Sequence, residues 1–132
     1  MVDLERARRA QEAVMAYLYT LLLRPGPYRD KWFDEASRSS LRVVPGCVNQ
    51  EAVRRLIADY LWHNDSGLEY DPRTRSPDFS VPRYCKDIVN RALGNQLITA
   101  RTLLLFVETF EMDDEDREKL WLLFAGEELQ VD

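Results

Sequence analysis

Arg83, Tyr84, Lys86, Asp87, Asn90 and Arg91 are the residues of this chain whose types and spacing suit a chemical task. They lie in VPRYCKDIVNRAL, where Val81, Cys85, Ile88, Val89 and Ala92 recur at near-helical spacing and predict a helix over 81–93 with one apolar side. The donor-rich residues then project from the rest of its circumference, with Arg91 at the boundary. Asp87 apart, a carboxylate that repels phosphates and could only accept from a cytosine amine, their chemistry is hydrogen-bond donation to anions and base edges: Arg suits guanine, Asn suits adenine, and Lys and Tyr suit phosphate oxygens. A polar face two turns long is also what an ordinary surface helix offers to water.

The net charge of −5 opposes such a role, since phosphate binding rests on Lys and Arg. Its distribution weakens the objection. Residues 111–132 hold nine acids and two bases, whereas residues 73–101 hold six bases (Arg73, Arg75, Arg83, Lys86, Arg91, Arg101) against Asp78 and Asp87. Arg73, Arg75, Arg91 and Arg101 would therefore add phosphate attraction around the predicted helix.

The elements that must position this face fit one domain of 132 residues, with 45% hydrophobic and 31% charged residues, a composition that needs no staples to bury a core. A first helix is expected from Asp3 to Arg24, on a stripe of Leu4, Ala7, Val14, Leu18 and Leu21 that Gln11 interrupts. Toward its end Met15, Tyr17, Tyr19, Leu22 and Leu23 spread the apolar surface almost all round, so this end is covered by the rest of the domain or by a second copy. Val14, Tyr17, Leu18, Leu21 and Leu22 are the expected contacts of a homodimer. Pro25 stops the helix. Residues 25–48 read as an irregular connector, with one or two helical turns in YRDKWFDEA carrying Trp32 and Phe33 inward, and an extended Leu41–Val44.

Asn49 caps a helix over 50–63 whose apolar side is Val53, Leu56, Ile57, Tyr60 and Leu61, with Arg54, Arg55 and Asp59 facing water. Residues 64–80 are rich in turn formers. After the helix at 81–93, with Ser80 as cap, Pro82 in its first turn and Gly94 as its positive-φ stop, Thr99 caps Ala100 to Phe110 and Asp113 caps Asp114 to about Ala125. The fold class is all-α, a bundle of about five helices: 1–48 as N-terminal helix and connector, 49–126 as the part that carries the candidate face, and 127–132 as an acidic tail.

Residues 81–126, VPRYCKDIVNRALGNQLITARTLLLFVETFEMDDEDREKLWLLFAG, resemble the second half of a λ-repressor-like (Cro/C1-type) helix-turn-helix domain. VPRYCKDIVNRALGN is similar to the family's recognition helix and Gly-containing turn, TARTLLLFVETF to its fourth helix, and MDDEDREKLWLLF to its acid-capped fifth; the helix at 50–63 would be its first. The resemblance implies a transcription regulator that binds double-stranded DNA as a homodimer, with Arg83, Tyr84, Lys86, Asp87 and Asn90 facing the duplex.

Other chemistries find less support. His63 ends a helix, where an imidazole commonly bonds terminal carbonyls, so no nucleophile–base pair is expected. MDDEDRE lacks the spacing and glycine of a calcium loop, and no glycine-rich phosphate loop is present. Cys47 and Cys85 read as buried free thiols. No catalytic residue, metal or cofactor is expected. The longest apolar run, AVMAYLYTLLL, is short for a membrane span and lacks a cleavage site, which points to the cytoplasm. A second class of function, a helical adaptor acting through a protein partner, would use exposed aromatic and aliphatic residues such as Tyr17, Tyr19 and Leu22.

Overall fold

Pro25 and Gly26 break the chain after its first helix, and Pro27 starts the next, its missing amide falling at a position that has no intrahelical partner. Gly26 sits at φ 155° and ψ −171°, a conformation nearly confined to glycine. This elbow opens the six helices of the computed structural model, which describes residues 4–64 and 83–126: α1 (Leu4–Leu23), α2 (Pro27–Arg38), α3 (Gln50–Asn64), α4 (Arg83–Leu93), α5 (Ala100–Thr109) and α6 (Asp114–Phe124). The fold is all-α, and every regular element among the described residues is a helix.

Helices α1 and α3 organise the bundle. α1 packs against α2, α4 and α6, and α3 against α2, α4 and α5. One continuous core results, with Trp32 and Phe106 its largest fully buried side chains.

Three sequence expectations change here. The segment read as one or two turns is α2, a 12-residue helix. It is held by burial of Tyr28, Trp32 and Ala36 and by the Trp32 indole N–H, which donates to the Leu22 carbonyl at the end of α1 (2.7 Å). The described residues thus form six helices where about five were expected for the chain. The expected dimer stripe also proves to be core: Val14, Leu18, Leu21 and Leu22 are at most 1% exposed within a single chain, and Tyr17 is half-buried against α6. Each such aliphatic residue gains about 1.5–3 kcal/mol by burial, so these side chains are spent on the fold and are not free for a second copy. The stripe starts later than its periodicity suggests, because Leu4 is 77% exposed and Ala7 is also at the surface.

Gln11, which breaks the apolar stripe, explains itself. Its amide N–H donates to the Ile98 carbonyl (2.7 Å), and its oxygen accepts from the Ile98 N–H (2.9 Å), clasping both backbone groups of a buried corner between α4 and α5. Without Gln11 those groups would be buried and unpaired.

A second polar knot ties the α1–α2 elbow to α6. The buried Asp116 carboxylate accepts from the Tyr28 hydroxyl (2.8 Å) and more weakly from Tyr17 (3.4 Å), with Arg24 3.3 Å away. The Tyr28 oxygen in turn accepts from the Asp113 N–H (2.9 Å), and Asp113 caps α6 by accepting from the Asp116 N–H (2.8 Å). Burial first, then the bonded Asp116 carboxylate, pushes the Tyr28 hydroxyl up to about 12 from 10.0, against the pull of the Asp113 amide. Tyr17 is raised as well, by burial first and Asp116 next. A phenol whose folded-state pKa lies above its unfolded value contributes stability that is whole below the unfolded value and is lost as pH rises through the folded one. Unfolding free energy should therefore fall between about pH 10 and pH 12. Denaturant titrations across that window should show a steeper fall for the wild type than for Tyr28→Phe, and equal slopes would contradict the assignment.

Caps follow the sequence closely. Asn49 accepts from the Ala52 N–H (2.9 Å) while its own amide donates to the Arg42 carbonyl, so it starts α3 and pins the connector together. Thr99 accepts from the Thr102 N–H (3.1 Å) to start α5. C-terminal stops differ from expectation: the left-handed residue after α4 is Asn95 (φ 58°), not Gly94. Gly94 is needed for space, since a Cβ there would lie 2.5 Å from the Asn90 carbonyl oxygen.

Ser40 (φ 54°) and Glu111 (φ 50°) end α2 and α5 the same way, with the next N–H reaching back to Ala36 and Val107 carbonyls. Left-handed backbone costs an ordinary L-residue about 1 kcal/mol that glycine escapes. Glu111→Gly is expected to raise stability by about 0.5–1 kcal/mol, read as a higher urea midpoint at unchanged slope.

Candidate nucleic-acid interface

α4 has the sharpest division of apolar and polar residues among the described helices. Cys85, Val89, Ala92 and Leu93 are buried, anchoring the helix to α3 and α1. Burial pushes the Cys85 thiol up to about 11, so it stays protonated and acts as a small hydrophobe. Cys47, expected to be buried, is exposed.

The opposite face carries the predicted donors. Arg83 is almost fully exposed (93%), with its guanidinium only loosely paired to Asp87 one turn on, at 3.9 Å. Asn90 and Arg91 are exposed, and Lys86, Asp87 and Ile88 half-buried. Arg83, Lys86 and Asn90 thus emerge together from an accessible helix. Tyr84 stands beside them, with the Arg101 guanidinium of α5 5.7 Å from its ring centroid, which joins Arg101 to the same surface. Arg73, Arg75, Ser80, Val81 and Pro82 lie outside the described residues.

Arg54, expected to face water, joins this surface instead. Half-buried on α3, it is fixed by Glu51 (3.0 Å) and by the Gln50 side-chain amide oxygen (3.3 Å), and it donates to the Asn90 side-chain oxygen. Arg55 is likewise held by Glu51, at 3.4 Å. The bond from Arg54 matters chemically. Bidentate reading of adenine needs both the amide N–H and the oxygen of Asn90, and that oxygen already serves Arg54. Asn90 is therefore preset in orientation, and any base contact must share or displace the arginine.

Asp87 and, through Arg54, Glu51 are the acids paired with basic residues of this surface among the described residues. Asp113, Asp114, Glu115 and Asp116 open α6, which packs on α1. At the far end of α3 the His63 ring bonds the Asp59 carbonyl (2.8 Å), the helix-end role expected of it.

No family model, curated protein or solved structure matches this chain. No helix among the described residues is long and apolar enough to cross a membrane.

Proposed function

We propose that the chain binds double-stranded DNA through the exposed face of α4, as a regulator of the helix-turn-helix kind. The observation that carries this reading is the gathering of Arg83, Lys86, Arg91 and Arg101 around one accessible helix, with Asp87 the only acid on that helix. In the proposal Arg83 contacts base edges, Asn90 is held for a base contact by Arg54, and Lys86, Arg91 and Arg101 bind phosphates, with Arg73 and Arg75 adding attraction. A homodimer belongs to the same reading, with contacts outside the buried α1 stripe.

Gel-shift titrations with random and genomic duplexes at low and moderate salt test it. Arg83→Ala should weaken a preferred sequence by about 1–3 kcal/mol and narrow its margin over random DNA. Lys86→Ala should weaken all sequences alike. Absence of any shift at low salt would end the proposal.

The adaptor reading has its own observation. Tyr84 and Leu97 are 42% and 44% exposed and line one cleft, an apolar surface that phosphate contacts leave unexplained.

A further inference from the structure

That cleft, of about 170 Å³, lies in the corner between α4 and α5. Tyr84, Ile88, Arg91, Leu97, Thr99 and Thr102 line it. The threonine hydroxyls are committed to each other: Thr99 accepts from the Thr102 N–H and donates to the Thr102 hydroxyl, both 3.1 Å. What remains is the apolar lining of Tyr84, Ile88 and Leu97, with Arg91 beside it and Arg101 over the Tyr84 ring. The corner is stiffened from beneath, because Ile98, between Leu97 and Thr99, is the residue Gln11 clasps.

Phosphates account for the arginines and for the Tyr84 hydroxyl but gain nothing from the Tyr84 ring, Ile88 and Leu97. Carboxylates flanking a bulky apolar side chain satisfy both parts: the side chain covers the apolar lining, and its acidic neighbours meet the guanidiniums. We propose that the α4–α5 cleft docks an acidic segment of a partner protein anchored by one large apolar residue, and that this segment competes with DNA for Arg91 and Arg101. The competition rests on the DNA reading; the docking stands without it.

Fluorescence anisotropy of a short labelled Glu- and Asp-rich peptide with a single central Leu, titrated with the full chain, tests the proposal. Binding should weaken by about fivefold or more on Leu97→Ser, and equally when the peptide Leu becomes Ser, the loss expected for one covered apolar contact. Arg91→Ala should weaken it too. Leu97→Ser should leave duplex binding within about twofold, while Arg83→Ala should do the reverse, so the docking and DNA readings fail separately. Leu97 is well exposed, so its replacement leaves the core intact. Absence of peptide binding, or binding indifferent to both Leu replacements, would overturn the proposal. So would a labelled single-stranded oligonucleotide that binds in a Leu97-dependent way while the peptide does not.

Discussion

Asp116→Ala is expected to cost about 2–4 kcal/mol of unfolding free energy, a large share of what a domain of this size has. The reason is connectivity. The Asp116 carboxylate is the buried acceptor for Tyr28 and Tyr17 and the partner of Arg24, so its removal takes away three polar ties between α6 and the α1–α2 part at once. Tyr28 would keep its bond from the Asp113 N–H but lose the acceptor for its own proton. Hydrogen bonds to an ionised group are worth about 1.5–3 kcal/mol, and the carboxylate also sits in the first turn of α6, where the helix dipole favours it. Tyr28→Phe, which removes one of these bonds, should cost about 1–2 kcal/mol. Urea titrations of the two variants give the comparison. A loss under about 1 kcal/mol for Asp116→Ala would mean that burial of Leu120 and its apolar neighbours alone seats α6.

Gln11→Ala should be nearly as severe, at about 2–4 kcal/mol, by a different route. It strands the N–H and carbonyl of Ile98, a residue 1% exposed, and each unpaired buried group costs about 1–3 kcal/mol. Gln11→Glu separates the two bonds. The carboxylate can still accept from the Ile98 N–H, but its second oxygen repels the Ile98 carbonyl. The local readout is hydrogen exchange of the Ile98 amide, which should speed up in Gln11→Ala beyond what the global loss predicts. Because Ile98 lies between Leu97 and Thr99, the same variant should loosen the α4–α5 cleft. Unchanged exchange at Ile98 would show that packing, not Gln11, holds the corner.

Helices whose apolar residues recur regularly and whose caps are Asn, Thr or Asp were legible in the sequence: α3, α5 and α6 begin where Asn49, Thr99 and Asp113 predict. The exposed polar face of α4 was legible too, since Cys85, Val89 and Ala92 fix which side is buried. α2 was underestimated because its mean character is polar and two prolines precede its aromatic pair; tertiary burial of Trp32, not local pattern, makes it a full helix. The α1 stripe misled because periodicity shows that a surface will be covered without showing by what. Arg54 and Gln11 share a lesson. A polar residue next to or within an apolar stripe signals a committed partner, but that partner lies 36 residues away for Arg54 and 87 for Gln11, beyond any local reading. The left-handed stop fell to Asn95 because Gly94 was required one residue earlier, where Asn90 comes close.

The central claim, that α4 presents a phosphate- and base-reading face, is tested most directly by the salt dependence of duplex affinity. As proposed, Lys86, Arg91 and Arg101 neutralise phosphates and release counterions on binding, so log affinity against log salt should fall with a slope of about −2.5 to −3, roughly fortyfold between about 50 and 200 mM salt. In the double variant Lys86→Ala with Arg91→Ala the slope should flatten by about 1.5–2. A wild-type slope near zero, or one that the double variant leaves unchanged, would contradict the account.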